Sequence, residues 1–166
     1  MVLTASYQGR TGTKAVNIVN NYGGTWNGSY IATACDASGD FARGDWCKGV
    51  RGSSFSLTMN LSQTGNDRSQ VSGTLTNAFI SNAPVTGIVT TDGRLNIGTN
   101  ATGTSNGITF RFQLLGWETK LTSANQMPGR TAASLSATGF VGNAYEEHNI
   151  TNATLTNPQL TPLAER

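Results

Sequence analysis

The fold is decided by residues 54–76, which read SFSLTMNLSQTGNDRSQVSGTLT. Apolar residues alternate with Ser, Thr and Asn over residues 54–62 and again over residues 71–76, and the polar segment 64–67 separates the two runs. Successive side chains of a β-strand point to opposite faces, so each run has one apolar and one polar face. The stretch therefore predicts a β-hairpin with one buried and one solvated face.

The pattern repeats on both sides of this hairpin. Residues 85–97 form a second alternating pair around Asp92-Gly93, a dipeptide typical of hairpin turns in which both central residues have positive φ. Residues 100–107 are rich in Gly, Asn and Thr and are predicted to be a loop. After Gly116 the alternation shifts by one residue, which predicts a β-bulge. Further strands are predicted over residues 26–34, 108–114, 133–141 and 149–155.

The sequence predicts an all-β fold: an antiparallel up-and-down barrel of about eight strands, with extended N- and C-terminal tails and no convincing helix. Residues 1–22 are predicted to be an N-terminal arm, in which Ala15–Val19 is either a leading strand or extended chain. Residues 23–155 are predicted to be the barrel domain, and residues 156–166 a C-terminal tail. A chain of 166 residues suits one such domain.

The composition argues against two classes of partner. Charged residues make up only 12% of the chain, and its eleven Lys and Arg residues are scattered rather than gathered in a basic patch, so nucleic-acid binding is not expected. No apolar run approaches the roughly 18 residues of a transmembrane helix.

The chain has two cysteines, Cys35 and Cys47, inside a stretch rich in Gly, Asp and Ser. A redox pair normally has the spacing C-x-x-C, and a metal site needs more Cys or His ligands than are at hand, so we predict a structural disulfide that closes this loop. Disulfides persist outside the cytoplasm, so the protein is predicted to be extracytoplasmic: periplasmic, at the cell surface or secreted. The first twelve residues, MVLTASYQGRTG, lack the pattern of a signal peptide.

Gly24-Thr25-Trp26, at the start of the first barrel strand, resembles the G-x-W signature of calycin-type barrels, the lipocalins and avidins. Residues 24–142 are also similar to a group of uncharacterised exported bacterial proteins. The similarity is carried by GTWNGSY, the two cysteines, LTMNLSQTG, VSGTL and TDGRL.

The resemblance implies a barrel, a structural role for Trp26 as the plug of one barrel end, and a site for a small ligand. The chain shows neither the C-terminal helix of lipocalins nor the ligand-enclosing tryptophans of avidins, so biotin binding is not inferred. Five residues are predicted to line a ligand cavity or, alternatively, to fill a packed barrel core: Tyr30, Met59, Phe110, Phe112 and Trp117. Small residues on inward faces, such as Gly73 and Gly87, either leave room for a cavity or relieve strand curvature.

Three further motifs have ordinary structural explanations. Residues 103–107 fit G-x-S-x-G, but no helix is predicted to follow them, as a nucleophile elbow requires. His148 follows two glutamates near the end of the domain and is expected to be solvated. Asp36, Asp40 and Asp45 could supply oxygen ligands to Ca²⁺, but no bidentate Glu completes the loop, so no metal site is predicted.

The expected function is the non-catalytic binding of a small, mostly apolar ligand. The alternative is a structural or assembly subunit that associates with a protein partner, or with itself, through residues 1–22 and 156–166. An enzyme would need convergent carboxylates or a histidine in a pocket, and the sequence suggests neither; no cofactor is expected.

Overall fold

The structure, a computed structural model, describes residues 2–15, 20–64, 68–123, 125–150 and 153–158. The strands are β1 Val2–Tyr7, β2 Arg10–Ala15, β3 Gly24–Ala37, β4 Ser54–Thr64, β5 Gln70–Thr76, β6 Ala83–Val89, β7 Arg94–Ser105, β8 Ile108–Lys120, β9 Gly129–Ala137, β10 Ala144–Ile150 and β11 Thr154–Pro158. Two short helices, α1 Gly39–Arg43 and α2 Trp46–Val50, lie between β3 and β4.

Strands β3 to β10 form a closed barrel. Each strand pairs antiparallel with the next, and β10 pairs back onto β3 along Tyr30–Ala37. The earlier part of β3, Gly24–Asn27, pairs instead with β11. This arrangement confirms the predicted eight-stranded antiparallel up-and-down barrel, which closes through the pairing of β10 with β3.

The turns follow local chemistry, with two departures from expectation. Asp92-Gly93 does connect two strands, but only Gly93 has positive φ, because the turn closes through a hydrogen bond from the Gly93 N–H to the Thr90 carbonyl. The loop predicted over residues 100–107 is wrong. Strand β7 continues to Ser105, and Asn106-Gly107, both with positive φ, form a tight two-residue turn into β8. Asn-Gly is the strongest signal for such a turn.

Register shifts between paired strands change which side chains face the barrel interior. The bulge predicted near Gly116 is confirmed by the register shift between Leu114 and Gly116. A second shift between Glu147 and His148 pairs them with Ala34 and Ala32 of β3, respectively, so that Thr33 is the extra residue. The predicted strand over residues 133–141 ends earlier, at Ala137, and the last barrel strand begins at Ala144 rather than at residue 149.

The segments outside the barrel contain more structure than was predicted. Residues 2–15 form a β-hairpin, a two-stranded sheet separate from the barrel sheet, where an arm was expected. The first residues of the predicted C-terminal tail belong to β11. The rest of that tail, the patch Val16–Val19 and the predicted turn at Gly65–Asp67 lie outside the described residues.

Trp26 lies near one end of the barrel, at the start of β3. Its side chain is fully buried, and its indole N–H donates to the carbonyl oxygen of Tyr22 at 2.8 Å. Tyr22 is also fully buried. Its backbone N–H donates to the side-chain oxygen of Gln63 at 2.8 Å, and its hydroxyl donates to the carbonyl oxygen of Gly93. These contacts fill this end of the barrel.

The opposite end is covered by residues 38–53, here called the cap, which contain α1 and α2. The predicted disulfide between Cys35 and Cys47 is confirmed and ties the cap to β3. Phe41 and Val50 of the cap are buried against the barrel. The two helices were not predicted because each spans only five residues, too few for a 3.6-residue period to be visible in the sequence. Within the described residues, no helix has the length and apolar character needed to cross a membrane.

Two inward-facing glycines are explained by strand packing. A Cβ atom at Gly73 would overlap with the carbonyl oxygen of Asn60, and one at Gly87 would overlap with that of Asn96. These positions favour the curvature explanation, because the missing side chains allow close approach of neighbouring strands rather than opening the interior.

Candidate functional site in the barrel interior

The five residues predicted to line a cavity all lie inside the barrel, each no more than 8% exposed. Three of them, Tyr30, Phe112 and Trp117, line one internal cavity. Met59 and Phe110 are buried elsewhere in the core and do not line it.

This cavity has a volume of about 10 Å³, close to the room that a single oxygen-sized group or water molecule needs. The barrel interior is therefore largely packed. The lining residues are Tyr30, Leu57, Leu75, Asn77, Phe112, Leu114, Trp117, Thr131, His148 and Ile150.

Two polar atoms of this lining have no hydrogen-bond partner among the described residues: the hydroxyl of Tyr30 and the indole Nε1 of Trp117. Tyr30 is 4% exposed and Trp117 2%. Buried polar groups are nearly always hydrogen-bonded, and an unpartnered one costs about 1–3 kcal/mol. Two effects raise the pKa of Tyr30 far above its usual range: burial, which is the larger, and the nearby negative charge of Glu146. The phenol therefore keeps its proton.

A buried acidic and basic pair lies next to these atoms. Glu146 and His148, both on β10, are 2% and 3% exposed, and His148 Nε2 lies 2.8 Å from Glu146 Oε2. The other carboxylate oxygen, Oε1, accepts a hydrogen bond from Trp46 Nε1 of the cap at 2.7 Å. The ring of His148 contacts the ring of Tyr30, with 4.6 Å between centroids.

The expectation that His148 is solvated is wrong. Strand β10 alternates strictly, so that Ala144, Glu146, His148 and Ile150 face inward while the intervening residues face solvent. The shared parity of Ala144 and Ile150 was the available signal. This signal was masked because the two positions between them on the same face, Glu146 and His148, carry polar side chains.

Aromatic rings connect the cavity to the cap. Tyr30 stacks on Phe55 with 5.3 Å between ring centroids. The centroid of Phe79 lies 6.2 Å from that of Phe55 and 6.4 Å from that of Phe112, on which Phe79 stacks. Trp46 in turn lies 5.8 Å from Phe79. Phe55, Phe79 and Trp46 are only partly buried, and together with Phe112 and Tyr30 they form a continuous chain of ring contacts from the cap to the cavity lining.

The other candidate motifs do not form sites. Among the described residues, no group of three or more His, Cys, Asp or Glu side chains is placed to hold a metal ion. Asp40 instead anchors the cap: it accepts a hydrogen bond from the Val141 N–H at 2.6 Å and pairs with Arg43. Both contacts lower the pKa of Asp40 below its usual value of 3.8, and the hydrogen bond from the Val141 backbone has the larger effect. Residues 103–107 form the β7–β8 turn, and a strand rather than a helix follows.

The fold and this site define a class, a closed eight-stranded up-and-down β-barrel with a disulfide-tethered cap and a buried polar cluster. Comparison of the chain with protein-family models, with curated proteins and with solved structures finds no match in any of the three.

Proposed function

We propose that this protein is a non-catalytic binding barrel of the calycin type, which holds a small, mostly apolar ligand inside the barrel. One observation carries the proposal: Tyr30 and Trp117 both line the internal cavity, and the Tyr30 hydroxyl and the Trp117 indole N–H have no hydrogen-bond partner among the described residues. Ligand sites are typically apolar and aromatic, with a few well-placed polar groups that fix the ligand.

The ligand is proposed to reach the cavity from the capped end. A cavity of about 10 Å³ can receive only a polar group, so the apolar part of the ligand must take space now occupied by aromatic rings beneath the cap. Phe79 is the ring best placed to move, because it is partly buried and lies in the connection between β5 and β6 rather than in a strand.

For the cap to open, its hydrogen bonds to the barrel and the packing of its two buried side chains must be broken. Besides the disulfide, these anchors include the hydrogen bond from Trp46 to Glu146 and backbone hydrogen bonds from Ser38 and Asp40 to the β9–β10 connection. The disulfide keeps the cap attached near Cys35 when the other contacts open. The disulfide also supports our proposal of an extracytoplasmic location, because disulfides persist in oxidising compartments.

A second candidate function, a structural or assembly subunit, is favoured by the N-terminal hairpin. Strands β1 and β2 pair with each other and, among the described residues, with no third strand. An isolated two-stranded hairpin is marginally stable in water. Pairing of this hairpin with a strand of another copy or of a partner protein would stabilise it.

Native mass spectrometry of protein purified from its natural source, without denaturation, separates the two candidates. A monomer with a reproducible small-mass adduct is the result expected for a binding barrel. Defined multimers without an adduct would favour the assembly subunit instead.

Benzene provides a defined probe for the interior. Methyl resonances of Leu57 and Leu114, which line the cavity, should shift saturably on titration with benzene. Those of Leu95, which is buried near the Trp26 end, should not. The absence of both an adduct and a saturable shift would contradict ligand binding inside the barrel.

A further inference from the structure

We propose that the ligand carries a neutral carbonyl oxygen, which the Tyr30 hydroxyl and the Trp117 indole N–H bind together in the internal cavity. The inference rests on the proposed binding function and specifies the chemical class of its ligand: a small ketone, aldehyde, ester or lactone with an apolar body.

The first argument is the hydrogen-bonding character of the two groups. An indole N–H can only donate, and a phenol donates when a suitable acceptor is present. The raised pKa of Tyr30 keeps that proton in place. A carbonyl oxygen has two lone pairs and no hydrogen of its own, so it can accept from both donors and leaves no further polar hydrogen to satisfy.

The second argument is size. The cavity measures about 10 Å³, which suits one oxygen atom rather than a larger polar group. The ring of Phe112 also lines the cavity, and Phe79 stacks on that ring. The carbon skeleton of the ligand would lie among these rings.

The third argument is charge. Among the described residues that line the cavity, none is Lys or Arg, and the one histidine, His148, is already bonded to Glu146. The nearby Glu146 is buried, and its carboxylate oxygens already bond to His148 and Trp46. An anionic ligand would therefore be buried without a free cation and close to a second carboxyl group, which is strongly unfavourable. A hydrocarbon would leave both donors without partners.

The test compares two probes of nearly the same shape, cyclohexanone and methylenecyclohexane, which differ by C=O against C=CH₂. The ¹⁵N-labelled protein gives one indole N–H signal for each tryptophan. The indoles of Trp26 and Trp46 are already bonded to Tyr22 and Glu146, at 2.8 Å and 2.7 Å. Cyclohexanone should move the Trp117 signal downfield, beyond any change at the other two, and methylenecyclohexane should not.

The Tyr30→Phe variant tests the second donor. It should bind cyclohexanone about fivefold to tenfold more weakly, which corresponds to one hydrogen bond, and should bind methylenecyclohexane at least as well as the parent protein. Tyr22→Phe is the matched control, because that hydroxyl donates to Gly93 near the other barrel end, and its affinities should be unchanged.

The outcomes separate the two proposals. If both probes bind, the Trp117 signal does not move and Tyr30→Phe has no selective effect, the carbonyl inference is overturned while ligand binding stands. If neither probe binds up to its solubility, the binding function fails, and the carbonyl inference fails with it.

Discussion

Replacing Tyr30 by Phe should make the ligand-free protein more stable, although Tyr30 is a buried core residue. The substitution removes one hydroxyl group, whose oxygen is inaccessible to solvent and has no partner among the described residues. The ring remains, together with its contacts to Phe55 and His148. Most substitutions in a protein core destabilise, so the sign of the effect is diagnostic.

The magnitude follows from two opposing contributions. An unpartnered buried hydroxyl costs about 1–3 kcal/mol, and the substitution recovers this cost. The lost oxygen enlarges the cavity by roughly 15 Å³, which at about 24 cal/mol per Å³ costs about 0.4 kcal/mol. The free energy of unfolding should therefore rise by about 0.6–2.6 kcal/mol, and Tm by about 1–10 °C for a domain of this size.

Equilibrium unfolding in urea, followed by tryptophan fluorescence and by circular dichroism with the disulfide intact, measures the change. Two other tyrosines serve as controls. Tyr22→Phe removes a hydroxyl that donates to Gly93 at 2.8 Å and should cost about 1 kcal/mol. Tyr145→Phe changes a side chain that is 37% exposed and should stay within about 0.5 kcal/mol of the parent.

A loss of 1 kcal/mol or more in Tyr30→Phe, similar to that in Tyr22→Phe, would refute the reasoning. It would mean that the hydroxyl of Tyr30 is hydrogen-bonded in the ligand-free protein. Tyr30 would then not be a free hydrogen-bond donor for a ligand. A gain in stability together with weaker ketone binding would instead be the trade-off expected at a binding site.

Three further perturbations test other parts of the structure by the same unfolding assay. Glu146→Ala should lower the free energy of unfolding by about 3–5 kcal/mol, because it leaves the buried His148 and the partly buried Trp46 without an acceptor. Glu147→Ala, at the exposed neighbouring position, should cost less than about 0.5 kcal/mol, and equal effects would contradict the inward orientation of Glu146. Gly73→Ala should cost about 1–3 kcal/mol, because the added carbon overlaps with the β4 backbone. Gly116→Ala should be nearly neutral, because nothing lies within 4 Å of the added carbon. A neutral Gly73→Ala would argue against the register of β4 and β5. The pKa of Asp40 is lowered on folding, so its contribution to stability is present above about pH 4 and is lost as the pH falls through the lowered value. Asp40→Asn should therefore flatten the dependence of unfolding free energy on pH below about pH 4. An unchanged dependence would rule out Asp40 as an anchor of the cap.

The barrel itself was predictable because its signals are local. Residues 54–62 alternate apolar and polar side chains, and the burial of β4 follows that alternation with Leu57, Met59 and Leu61 inside. The parity change at Gly116 predicted a bulge for the same reason, since one extra residue shifts every later side chain to the other face. The cysteine spacing predicted the disulfide.

The polar cluster was not predictable from the same signals. Glu146 and His148 read as surface residues because charged side chains are almost never buried without a partner. Glu146 is the partner of His148, and its other oxygen accepts from Trp46, one hundred residues earlier in the sequence, which reaches Glu146 only because the cap folds over the barrel end. The alternation of the strands predicted that Tyr30 and Trp117 lie inside the barrel, but it could not indicate that both line one cavity or that their polar atoms have no partner among the described residues.

The sequence by itself therefore determined the class of fold, the order and parity of most barrel strands, and the disulfide, since alternation and turn chemistry act between residues close in the chain. Only the tertiary structure decided that β10 closes the barrel against β3, that the cap covers one end, and that a buried acid–base pair adjoins two unpartnered donors. These features depend on contacts between distant segments. Burial, which gives an unpartnered hydroxyl or a carboxylate its energetic importance, exists only after the barrel has closed.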